Sequence, residues 1–389
     1  MSLSITQYPA SASLAQSPIV FTVAENTQAV LSASFQYYCN LYYWTGSEAA
    51  SGSTPQYVLT KYPNESLVGM FDVSRIMNST LTDTAFANHS NVKYLKCDFY
   101  WNFPSTTGTT VSSSIVGSGV YKALDGYGIF QEPINQQIYS KTPHWPIMSD
   151  GPVSQSFLTG TSGWMSAYVG TTGGTQPTRI VYSGSLGTGQ IILSGSISSS
   201  QQVQYFPIGT NCVDFPLSTL TTNFSIQPYS ASVALGTAID FTQVCQQKYP
   251  NIRIKWKNRY GQFDYYNFYL VNRQGFQSTK RTYQPQLGSW QGTSLSYNNY
   301  DSSTLNYLSD SKQTLSVNSD YLDDSYNDIL KQLMVSDEIY WIYEETSTQE
   351  IVRPITIRTD SIVFKTGVND KLVQYQFDFD WGQAYKLII

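Results

Sequence analysis

The clearest signal along the chain is alternation of apolar and polar positions with a period of two, the pattern of a half-buried β-strand. Near the end, Val373, Tyr375, Phe377, Phe379 and Trp381 alternate with Gln374, Gln376, Asp378 and Asp380. Residues 355–364 are the expected partner strand, joined to it through Gly367-Val-Asn-Asp370. A second hairpin is expected around the turn signal Arg259-Tyr-Gly261-Gln, between 252–257 and 263–271. In its first strand Ile252, Ile254 and Trp256 alternate with Arg253, Lys255 and Lys257, which puts all the charge on one face.

Between these hairpins the period changes. Leu322, Tyr326, Ile329, Leu330, Leu333 and Met334 form an apolar stripe at helical spacing, which predicts a helix over 320–334. Ser319 or Asp320 can cap it, Asp323 and Asp324 sit near its positive end, and Lys331 falls toward the other.

The first third reads as short strands at 19–23, 33–44, 57–62 and 93–101, with a short helix or turn at 72–78. Short strands punctuated by turns are the signature of a sandwich, here immunoglobulin-like or fibronectin-like. Further strands are expected at 164–169, 179–182 and 190–193, set among Gly, Ser and Thr. No repeat of fixed period is visible. The expected fold class is all-β, mainly β-sandwich domains, with one α-helix in the C-terminal domain.

Charge marks the boundaries. Residues 101–245 carry eight charged side chains and residues 251–389 carry thirty. The expected organisation is a sandwich over 1–112, an extended crossing segment over 113–155, a low-charge β domain over 156–250 and a C-terminal β domain over 251–389. The last two are left open to sharing one sheet. The crossing segment holds Pro133, Pro143 and Pro146, yet Ile129, Phe130, Trp145 and Ile147 are too apolar for a free linker, so it is expected to pack.

A length of 389 residues suffices for two or three such domains. Only 13% of residues are charged, and Ser, Thr, Gln, Asn and 31 tyrosines take their place. Such a surface repels copies of itself weakly, and tyrosine brings contact area with a polar tip. The same tyrosines also suit strands. The net charge of −5 without a long basic run argues against nucleic acid as a partner. No stretch of about 18 apolar residues predicts a membrane-spanning helix, and the N-terminus lacks the basic flank and apolar core of a signal peptide. Cys39, Cys97, Cys212 and Cys245 occur singly, as small buried hydrophobes do, with bridging left open.

Candidate chemistry is sparse. His89 and His144 are the only histidines, which excludes a zinc site built on histidine pairs and leaves little for a Ser-His-Asp triad. His144 in Thr-Pro-His-Trp-Pro reads as a packed loop residue. Asp378 and Asp380 share a strand face, as a two-carboxylate glycosidase would need, but Gln374 and Gln376 beside them favour a solvated face. Asp320, Asp323, Asp324 and Asp328 lack the glycine and distant glutamate of a calcium loop and read as helix capping. Gly117-Ser-Gly119, Gly173-Gly174 and Gly187-Thr-Gly189 lack a following Lys-Ser or Lys-Thr and read as turns. Asn64, Asn78, Asn88 and Asn223 begin glycosylation sequons, expected by chance in this composition. No catalytic, cofactor-binding or metal-binding residue is therefore assigned, and the expectation is a non-enzymatic protein. Trp101, Trp164 and Trp290 are candidates for sugar stacking, with burial in a core the heavier alternative.

Residues 255–268, the 320–334 helix and the closing hairpin from Pro354-Ile-Thr-Ile357 to 374–379 resemble a recurring type of virion protein in tailed bacteriophages, particularly those of Bacteroidetes hosts. The stretch Phe130-Gln-Glu-Pro-Ile-Asn-Gln-Gln137 resembles the same group. A sandwich with a single helix and long hairpins is also similar to tail tube, distal tail and baseplate hub proteins. The resemblance implies a structural component of the virion, made in the host cytoplasm, whose partners are copies of itself and other virion proteins. Its position could be tail, collar or capsid spike. A receptor-binding or carbohydrate-binding spike, with a host-surface glycan as partner, is the alternative.

Overall fold

Alternation becomes architecture most directly in the strand Gln36–Trp44, where Tyr37, Cys39 and Leu41 are buried and the residues between them are half-buried. It pairs antiparallel with Val92–Pro104, Tyr37 opposite Trp101 and Leu41 opposite Cys97. The computed structural model describes residues 3–25, 27, 34–49, 52–81, 92–104, 109–128, 144–170, 176–193, 202–244, 249–286, 288–346, 350–363 and 374–382. Asn88, His89, Cys245, Gly173-Gly174, Gly367–Asp370 and residues 129–143 lie outside them. The fold is all-β, with short helices at Ser74–Thr80 and Asn327–Val335. No helix among the described residues is long and apolar enough to cross a membrane.

The N-terminal part is a two-sheet sandwich. One sheet runs Ser4–Gln7, Val20–Ala24, Val68–Asp72, and the other runs Ala12–Leu14, Val116–Leu124, Val92–Pro104, Gln36–Trp44, Tyr57–Lys61. Phe99 of the second meets Phe21 and Phe71 of the first, each at 5.6 Å between ring centroids. Each such ring removed from water stabilises the fold by about 1.5–3 kcal/mol.

Two expectations fail here for one reason. Residues 116–124 do not begin a crossing segment, and Gly117-Ser-Gly119 is not a turn. Val116–Leu124 is a strand paired with Val92–Pro104, and the register slips by one residue opposite Lys96 and Asp98. Gly119 absorbs that bulge with φ of 81°. Glycines that look like a turn in sequence are the bulge that lets the strand continue.

Residues 154–243 form a sheet ordered Ser154–Phe157, Ile239–Gln243, Asn223–Ser230, Arg179–Gly184, Gly187–Ile192, with the pair Trp164–Tyr168 and Val203–Pro207 apart from it. The hairpin turn is Ser185-Leu186, closed by the pair Gly184 and Gly187, the latter with φ of 133°, so Gly187-Thr-Gly189 is the start of the returning strand and not the turn. The last sheet is antiparallel and seven-stranded: Phe263–Phe268, Ile252–Lys257, Ile339–Glu345, Glu350–Ile357, Gln376–Trp381, Leu305–Asn318, Asn272–Tyr283. Among the described residues the middle and last sheets share no strand pairing.

The Asn327–Val335 helix lays Ile329, Leu330 and Leu333 on one face of the last sheet, against Ile254, Trp256, Phe377 and Phe379. It starts later than expected. Asp323 caps a 3-10 turn, Asp324–Tyr326, by accepting from the Ser325 amide at 3.0 Å. Asp320 is drawn away by the Tyr269 hydroxyl, and Ser319 ties to the Tyr375 backbone, so the chain cannot coil there.

The other face of the strand Ile252–Lys257 carries the expected charges, but it is closed off from water. Arg253 and Lys255 are 4% and 3% exposed. Lys255 Nζ lies 2.6 Å from Glu350 Oε2, and Arg253 lies 3.5 Å from Glu345 and over the Tyr265 ring. Lys257 bridges Asp125 at 2.6 Å and Glu338 at 3.2 Å, and Arg259 Nε meets Asp150 at 2.5 Å. The Ser162 amide donates to Glu345, which brings the middle part into the same row. Four cations are thereby matched by acids from the end of the first sandwich, the crossing segment and two strands of the last sheet.

Removing one partner of a buried pair strands the other charge, which costs roughly 3–5 kcal/mol, whereas replacing both with apolar groups is near neutral. Glu350→Ala should therefore destabilise the protein by about that amount in urea unfolding. Lys255→Met with Glu350→Leu should recover most of the loss.

Candidate assembly surface and the buried polar junction

The turn after the charged strand builds a polar cluster. Asn258 Oδ1 accepts from the amides of Tyr260 and Gln262, both at 3.0 Å, which closes the turn, and Gly261 takes φ of 70° against the Asp125 backbone. Asn258 Nδ2 donates to Met148 O at 3.0 Å and to Asp264 Oδ2 at 3.1 Å, while Ser149 Oγ donates to Asp264 Oδ1 at 2.7 Å. Asp150 accepts from the Tyr260 hydroxyl at 2.7 Å and from Gln332 Nε2 at 2.8 Å. The crossing segment, the turn and the helix are thus joined by side chains facing inward. Burial pushes Asp264 up to about 7, against its two hydrogen bonds, which favour the charged form, and with Asp150 adding to the rise.

His144 is fully buried, as a packed loop residue should be. Its Nδ1 lies 3.0 Å from Thr237 O and its Nε2 lies 2.8 Å from Gly151 O, so both ring nitrogens face backbone carbonyls and not a nucleophile. Asp380 is taken by Lys312 at 2.6 Å, with Arg358 at 3.8 Å. Asp328 pairs with Lys331 at 2.8 Å, and Asp323 caps. No group of three or more potential ligand residues among those described could hold a metal ion. Cys39, Cys97 and Cys212 are buried and unbridged. Trp101 lies in the first core, stacked on Phe103 at 5.6 Å, and Trp164 packs half-buried on the middle core. Trp101, 8% exposed, offers no free stacking face. Trp290 lies elsewhere, in the strand Ser289–Gln291 opposite Leu295.

That strand lies beyond the end of a long exposed hairpin. Asn272–Tyr283 and Leu305–Asn318 pair from Asn272↔Val317 to Tyr283↔Leu305. The neighbouring strand Gln376–Trp381 reaches only Thr314–Asn318. Among the described residues the sheet is therefore a two-stranded arm from Phe276 and Gln313 outward, and its Phe276–Tyr283 stretch extends roughly 25 Å at about 3.4 Å per residue. Every residue from Arg273 to Tyr283 is exposed. Buried neighbours stop at Leu315, whose face of the arm continues outward through Phe276, 57% exposed. At the far end the small hairpin Ser289–Gln291 and Ser294–Ser296 is followed by Tyr297, Tyr300, Leu305 and Tyr307, all exposed.

Compared with known proteins, the chain matches no family model and no curated sequence.

The Asp264 carboxyl gives a pH signature. Its folded value near 7 stands above the ordinary 3.8, so between about pH 4 and 7 the folded protein holds a proton that the unfolded chain has released. This group's contribution to stability is fully present below about 4 and falls as pH rises through that window. Asp264→Asn should flatten that part of the stability–pH curve, measured by urea unfolding at stepped pH. An unchanged slope would remove Asp264 as its source.

Proposed function

We propose that this protein is a non-enzymatic structural subunit of a larger assembly, and that the assembly is a bacteriophage virion, with the tail as its place. The observation that carries the assembly reading is the long, exposed two-stranded arm. A two-stranded hairpin is marginally stable in water by itself, and three strands or a packed second layer are normally needed. Here, among the described residues, a hairpin of that kind extends well past its sheet, exposed from Arg273 to Tyr283, with Asn272–Tyr283 as the outer strand. A neighbouring subunit supplies the missing layer or the missing strand.

The arm's charge favours one geometry. Arg273, Lys280 and Arg281 lie on the open strand and no acid does. Antiparallel pairing of two such edges would set three cations beside three cations, which is the device by which edge strands avoid self-pairing. The neighbour therefore presents a different surface, and such head-to-tail contacts close into rings or extend as tubes. The virion itself is supported by the resemblance of residues 255–268 and the closing hairpin to phage virion proteins.

Removing residues 278–311 and joining Gln277 to Lys312 through Asn-Gly tests the reading, because the described side chains within that stretch are exposed or half-exposed. In sedimentation velocity the intact chain should form oligomers that grow with concentration, and the shortened chain should remain a folded monomer. A monomeric intact chain at all concentrations, or unaltered oligomers after the deletion, would overturn it.

A further inference from the structure

The far end of the arm differs chemically from its shaft. Between Gln284 and Thr304 the only charged residue is Asp301, and the segment holds no Ile, Val, Phe, Met, Arg or Lys. It is built of Ser, Thr, Asn and Gln around a few aromatic rings, the mixture of rigid ring and adaptable hydrogen bonder used by recognition loops. Its turn is fixed internally, since Asp301 Oδ2 accepts from the Asn298 amide at 2.7 Å and the Asp301 amide donates to Asn298 O at 3.0 Å. That turn holds Tyr297 and Tyr300 outward, 73% and 84% exposed, on either side of Asn298 and Asn299.

We infer that the turn 297–301 at the end of the arm is a binding site for a neutral glycan. A protein contact is centred on a desolvated apolar patch anchored by aromatic rings together with Arg, Met or Phe. This segment has rings but no Arg, Met or Phe, and Leu287 and Leu295, its only leucines, are set among Ser, Thr, Asn and Gln. A sugar presents a C–H face that stacks on an aromatic ring and a rim of hydroxyls that need donors and acceptors without net charge. Tyr297 and Tyr300 supply the rings, and Asn298, Asn299 and the neighbouring serines supply the rim. Trp290 stands in the same end of the arm, on the strand opposite Leu295. An acidic polysaccharide fits less well, because the segment offers no cation and one carboxylate.

This site is independent of the shaft's role in assembly, and the two can fail separately. The full chain, applied to an array of printed neutral glycans and then to the best binders in solution by calorimetry, should bind at least one. Tyr297→Ala with Tyr300→Ala should weaken that binding by about ten-fold or more, while sedimentation shows the same oligomers as the unaltered chain. Absence of any neutral glycan bound by the unaltered chain would overturn the inference. So would a double variant that keeps its glycan affinity, or one that instead loses its oligomers, which would make the turn a subunit contact.

Discussion

Four cations buried between sheets have to be neutralised where they stand, and the position of nearly everything else follows from that. An isolated ammonium or guanidinium in the protein interior costs several kcal/mol, which only close, well-directed acids offset. The row Arg253, Lys255, Lys257, Arg259 takes its acids from Asp125, Asp150, Glu338, Glu345 and Glu350. These lie on parts of the chain far apart in sequence, so the row acts as a register mark between the first sandwich, the crossing segment and the last sheet. The apolar cores by themselves would tolerate small rotations of one part against another. Paired charges at 2.5–3.5 Å do not. The polar turn from Asn258 to Gln262 extends the same constraint to the helix through Gln332.

With that body fixed, the arm stands out as the exposed extension of the last sheet. The last sheet is packed on both faces at its charged strand, where the helix covers Ile254 and Trp256, but its Asn272–Tyr283 edge is exposed from Arg273 onward. A chain that buries charges so thoroughly at one end of a sheet and leaves Phe276 and four tyrosines exposed at the other has an unequal distribution of packing. The proposed subunit contacts along the shaft and the proposed ligand contacts at its end would divide that surface according to its chemistry: cationic and strand-like first, neutral and ring-bearing last.

Much of the fold was legible because one buried face makes strands alternate. Gln36–Trp44, Ile252–Lys257 and Gln376–Trp381 could all be placed from their sequences for that reason. The arm was not legible for the complementary reason: with both faces in water, Arg273–Tyr283 has no apolar register to reveal its period. The charged strand was readable as a strand, yet its burial was not, since Arg-x-Lys-x-Lys alternation looks the same whether the partners are water or acids some 90 residues away. The bulge at Gly119 hid a strand behind turn residues. Capping logic found the helix but set its start at Asp320, because the tie from Asp320 to Tyr269 is tertiary. The acids that complete the buried row carried no local signal, and of the tryptophans proposed for sugar stacking only Trp290 falls on the arm.

Hydrogen–deuterium exchange of the intact chain, followed residue by residue at low and high protein concentration, probes this account most directly. Amides of Ile252–Lys257 should be protected at every concentration, while those between Phe276 and Tyr283 should exchange rapidly when dilute and slow markedly as subunits associate. Rapid exchange in the charged strand would contradict its role as the fixed joint. An arm protected equally at all dilutions would mean that one subunit already satisfies it, and that no partner is needed.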